Sequence, residues 1–168
     1  MKPGIRWIVT MALLVSVAIL AHAQQTPSPG NGIDACTLVS RAEVASIMGG
    51  RLSDGKQSPN LQKQGSMSSC DFAISEGGQI SVVLQRTKEK YAAGSEKAKF
   101  EKAGMTFRYI QGLGNVAFFI DMFGLGTGLM VFRGDYDSFL ITATNAGPED
   151  QVAPKLEKLA RLLLERWK

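Results

Sequence analysis

Apolar and polar residues alternate with two periods along this chain, and the change of period marks the elements. Positions 70–75 place Cys70, Phe72 and Ile74 on one side and Asp71, Ala73 and Ser75 on the other. Positions 79–87 repeat the alternation with Ile80, Val82 and Leu84, and Glu76-Gly77-Gly78 between the two runs is turn chemistry, so a hairpin is predicted. Three more strands are predicted at 116–123, 128–133 and 138–144, joined by Gly-rich or Gly-Asp turns, with a short one at 106–110. The period becomes helical near the end of the chain. Leu156, Leu159, Ala160, Leu163 and Trp167 form one stripe at i, i+3, i+4, i+7 and i+11, with Pro154 expected in the first turn.

Two further helices are predicted. Positions 41–48 follow Ser40, a natural N-cap, with Glu43 three residues on to complete a capping box and Val39 and Val44 at the staple positions. Gly49 and Gly50 offer the left-handed exit. Positions 88–103 are charged and Ala-rich, weakened by Gly94 and stopped by Gly104. Between the first helix and the first strand, 51–69 is polar and holds Gly55, Pro59 and Gly65; it is predicted as a long loop with a short strand near 51–53. The order α-β-β-α-β-β-β-β-α predicts an α+β fold: one antiparallel sheet with helices packed mainly on one face.

The first 23 residues follow a different logic. Lys2 and Arg6 precede an apolar run from Ile8 to Leu20, and Ala21-His22-Ala23 supplies small residues where a signal peptidase reads. The run falls short of the ~20 residues that span a bilayer, so a cleaved secretory signal is expected over 1–23. A Pro- and Gly-rich leader, 24–34, then precedes a single domain over 35–168. Export to the medium or a periplasm changes the reading of the two cysteines, Cys36 and Cys70. In an oxidising compartment an even count is expected to pair, here without Cys-x-x-Cys spacing or a histidine to make a zinc site.

From Asp34 the sequence runs Asp-Ala-Cys-Thr-Leu-Val-Ser-Arg-Ala-Glu-Val. Cys70 opens a strand, Gly112-Leu113-Gly114-Asn115-Val116-Ala117 precedes the strand series, and a Leu-rich helix ends the chain. In these features it resembles small secreted bacterial proteins and lipoproteins of unknown function with a PsbP-like α/β sandwich. It departs from the lipoproteins in lacking a Cys close behind the apolar run. The resemblance implies a non-enzymatic envelope module and brings no catalytic residues.

Charge and chemistry narrow the functional classes. Removing Lys2 and Arg6 from the 19 basic residues leaves 17 against 15 acidic, a net +2 that gives no reason to expect nucleic acid. The only histidine is His22, inside the signal, so the mature chain has no triad histidine, imidazole base or histidine metal ligand. No metal or cofactor is expected. Gly124-Leu125-Gly126-Thr127-Gly128 is half a dinucleotide fingerprint but lies between two strands, which makes it a hairpin turn. Turn chemistry also accounts for Arg133-Gly134-Asp135, and Asp135 with Asp137 falls short of a calcium loop. Asp71 and Asp121 are the strand-borne candidates for a carboxylate hydrolase.

Two surfaces stand out as binding candidates. Positions 86–108 carry seven basic residues, Lys97, Lys99 and Lys102 among them, against three acidic ones: a solvated helix or a contact for an anionic partner. From Val116 to Phe132 both strand faces are apolar, with Phe119 and Phe123 on one and Met130 and Phe132 in the next strand. Either these strands are central and covered twice, or one face is an open patch. The leading expectation is a secreted, non-catalytic binding or accessory module whose partner is a protein or other envelope component. A small apolar-ligand carrier and a carboxylate-dependent envelope hydrolase are the alternatives.

Overall fold

The computed structural model describes residues 34–58, 61, 66–75, 77–87, 90 and 93–167. The expected signal and leader therefore lie outside the described residues, apart from Asp34. The elements are α1 (Ala35–Leu38), α2 (Arg41–Met48), β1 (Met67–Ala73), β2 (Gln79–Arg86), α3 (Ala93–Lys102), β3 (Phe107–Ile110), β4 (Val116–Asp121), β5 (Gly126–Arg133), β6 (Asp137–Thr144) and α4 (Glu149–Arg166). The six strands form one antiparallel sheet in the order β1-β2-β6-β5-β4-β3. This is the α+β architecture expected, with a short added helix, α1, before α2.

Local chemistry explains the helix starts. Asp34 caps α1, its Oδ1 accepting from the Cys36 amide at 2.8 Å. At α2 the Ser40 Oγ accepts from the Glu43 amide at 3.3 Å, while Glu43 Oε2 accepts from the Ser40 amide at 2.9 Å. α4 begins earlier than its stripe suggests, at Glu149 behind Pro148, so Pro154 lies in the second turn. Lacking an amide, Pro154 leaves the Asp150 carbonyl without its helical bond, on the exposed side of the helix.

One registered row crosses the whole sheet: Cys70, Val82, Ile141, Leu129, Phe119 and Arg108 stand side by side on one face. α4 covers this face with Leu156, Leu159, Ala160, Leu163 and Trp167, and α1 and α2 add Ala35, Val39, Val44 and Met48 to the same core. The disulfide between Cys36 and Cys70 ties α1 to β1. On the other face Phe118, Ile120 and Phe132 form a smaller buried cluster beneath Phe100 of α3. The Phe100 ring packs on Phe107 at 6.1 Å and on Phe118 at 6.5 Å. The central strands are therefore covered on both faces, which accounts for their unbroken apolar runs.

The 51–58 segment is a loop that also shields the edge of β1. Lys56 exchanges backbone hydrogen bonds with Asp71, each at 2.9 Å, and Leu52 bridges Ile74. At the centre, Gly126 lies so close to β6 that a methyl group on it would enter the Ala143 carbonyl oxygen. Gly126→Ala is expected to cost about 2–3 kcal/mol through forced displacement of β5 from β6, measurable by urea unfolding.

Arg166, at the end of α4, fastens α2 in place. Its Nη1 donates to the Leu38 carbonyl at 2.8 Å and to Glu43 Oε2 at 2.9 Å, and its Nη2 donates to Glu43 Oε1. The Arg166 hydrogen bonds first, then those from Ser40, hold the Glu43 carboxyl at about 2, against an ordinary 4.5. A depressed carboxylate stabilises the fold above its unfolded value and loses that contribution as pH falls. The loss for Glu43 runs from pH 4.5 down to about 2. Glu43→Gln should lower stability above this window and flatten its fall within it, with a salt-sensitive difference because the pair is solvent-accessible.

Candidate functional site

The two phenylalanines expected to share an open face do not share one. Phe119 is 3% exposed, within the core beneath α4, and the Arg108 guanidinium stacks on its ring at 4.4 Å. β4 ends at Asp121, two residues before the expected end, so Phe123 lies in the following turn and is 63% exposed. The expected sheet-face patch is corrected accordingly: Phe119 is core, and Phe123 is not on the sheet. Phe132 is buried in the second cluster, and Met130 is half-buried against it.

The turn between β4 and β5 is held by its own hydrogen bonds. Asp121 Oδ1 accepts from the Gly124 amide at 3.1 Å, the Leu125 amide donates to the Met122 carbonyl at 3.1 Å, and the Met122 amide donates to the Gly126 carbonyl at 3.0 Å. The Asn145 amide, from the loop before α4, donates to the Leu125 carbonyl at 3.1 Å. Phe123 has φ 57° and Asn145 has φ 48°, the two non-glycine residues in the left-handed region among those described. A bulky residue in that region is strained. The result is a fixed tip that presents Phe123 and Leu125, 63% and 65% exposed, to solvent. Leu125 was missed by pattern reading, although glycines on both sides of it signal a turn. Tyr109 in β3 and Tyr136 in the β5–β6 turn, also about half exposed, were missed as well.

Lys99 and Lys102 are exposed in the last turn of α3; Lys97 lies on the same helix, its side chain outside the described ones. The surrounding basic segment spends part of its charge inside the molecule. Arg86 binds Asp137, Lys90 meets Asp135 at 3.0 Å, and Arg108 meets Glu149 at 3.1 Å.

The two candidate catalytic carboxylates are far apart. Asp71 is on β1 and faces the α3 side, where it accepts a hydrogen bond from Ser81 Oγ; Asp121 is on β4 and shares the α4 face with Phe119. Four strand spacings separate them, roughly 19 Å, on opposite faces of the sheet. They cannot act together on one bond. Among the described residues no three His, Cys, Asp or Glu side chains converge as a metal site, and no helix is long and apolar enough to cross a membrane. The half-fingerprint at Gly124–Gly128 opens strand β5 rather than a helix, as its flanks predicted. Comparison with protein-family models, with curated proteins and with solved structures found no match to this chain.

Proposed function

We propose that the chain is an exported, non-catalytic binding module of the bacterial cell envelope, and that its β4–β5 tip meets a protein or other envelope component. The observation that carries this reading is the strained, hydrogen-bonded turn that keeps Phe123 and Leu125 in water. Left-handed backbone at a phenylalanine costs of order 1–3 kcal/mol, and such strain clusters where function requires it. An internal disulfide suits the oxidising compartment that the N-terminal signal implies.

A photo-crosslinking residue placed at Phe123 in exporting cells should capture a discrete partner, and Leu125→Ser should reduce that capture severalfold. The same residue at exposed Lys158 on α4 should not capture it. Identical products from both positions would defeat the proposal.

A second reading, a carrier of a small apolar ligand, draws on the half-buried Phe100, Met105 and Met130 beside α3. Saturable binding of an apolar fluorophore that Met130→Glu removes would favour it over the tip.

A further inference from the structure

We propose that the end of the sheet where β5 turns into β6 binds a small oxyanion between Arg133 and Trp167. Asp137 opens β6 and is 8% exposed. Arg86 grips it with Nε at 2.6 Å and Nη2 at 2.9 Å. Arg133 Nη2 stands farther off, 3.8 Å from Asp137 Oδ2. Two guanidinium groups thus share one carboxylate, and positive charge is left over.

Arg133 and Trp167 lie together at this end of the sheet. The Arg133 guanidinium lies over the Trp167 indole, 5.4 Å from the ring centroid. Arg133 Nη1 and Trp167 Nε1 are both buried, and neither has a hydrogen-bond partner among the described residues. Buried donors are almost always satisfied. Both of these groups only donate, so what completes them must accept. The surplus positive charge favours an anion over a neutral acceptor, and charge-assisted bonds from a guanidinium suit carboxylate, sulfate or phosphate oxygens. The Arg86 and Arg133 side chains are 49% and 28% exposed, so this end of the sheet borders solvent.

Trp167 and Trp7 are the only tryptophans, so the emission lost in Trp167→Phe isolates the reporter at the site. Sodium acetate and sodium sulfate, titrated into the full chain at constant ionic strength with sodium chloride, are expected to change that emission saturably and to raise the thermal midpoint. Arg133→Met should abolish both effects. Trp167→Phe keeps a ring under the guanidinium but lacks Nε1; it should retain less than half of the midpoint rise, and it carries the test if Arg133→Met does not fold. Acetate alone giving saturation would mark a planar carboxylate site, and sulfate alone a tetrahedral oxyanion site. The proposal is overturned by an unchanged or unsaturable emission, or by equal midpoint rises in wild type and Trp167→Phe, which is the general effect of excluded salts. Either result leaves the tip formed by Phe123 and Leu125 untouched.

Discussion

Replacing both Cys36 and Cys70 by alanine should lower the unfolding free energy by about 3–4 kcal/mol, the chain-entropy value for a closed loop of this size. The bridge spans 34 positions and encloses α2 and the polar 51–58 segment, which has little apolar surface to hold it in place. α1 has only four residues, so the bond to β1 fixes an element that could not hold itself. Gly55 sits directly over the Cys70 sulfur and the Phe72 ring, so the loop is packed on the bridge it helps to close. The measurement is urea unfolding of the double variant beside the oxidised parent, with the reduced parent expected to match the variant. A loss below about 1 kcal/mol would show that the packing of α1, α2 and the loop carries this region without the bond. The expected loss is a large fraction of a typical domain's stability.

Phe119→Ser and Phe123→Ser should differ sharply, although the two residues are four apart in one apolar run. Phe119 stands in the central row of the α4 face between Leu129 and Arg108, so its replacement removes a buried ring and a cation–π partner. The expected cost is about 3–5 kcal/mol. Phe123 is 63% exposed, and the expected change is within about 0.5 kcal/mol. Phe123→Gly should stabilise by up to about 1 kcal/mol, because glycine accepts φ 57° without strain. Thermal and urea unfolding of the three variants decide the matter. A large loss from Phe123→Ser would make the tip part of the folding core and remove it as a contact surface.

The exposed tip is less legible in the sequence than the fold. Phe119 and Phe123 are separated by an even number of positions and would share a face if the strand continued. It stops at Asp121 because that side chain caps the Gly124 amide and turns the chain. The glycines at 124, 126 and 128 marked a turn, but not the residue at which it began. The basic segment likewise read as a surface feature. Arg86 finds Asp137 51 positions away and Arg108 finds Glu149 41 positions away, pairings that no local pattern announces.

What the sequence determines by itself is what a few neighbouring residues can specify. The capping box at Ser40 and Glu43, the alternation in β2, the apolar stripe of α4 and the pairing of the two cysteines all belong here. Their signals lie within a turn of helix, within a strand, or in a simple count. Tertiary structure alone decided that β2 lies beside β6, the one pairing in the sheet between strands not consecutive in the chain. Alternation states which side of a strand is apolar but carries nothing about its lateral neighbour. Placing β6 and β5 between β2 and β4 separates Asp71 from Asp121, and α4 over the face bearing Phe119 turns a candidate open patch into core. The same long-range order brings Arg133 against Trp167, because hydrogen-bonded pairing and helix docking join residues that the chain holds far apart.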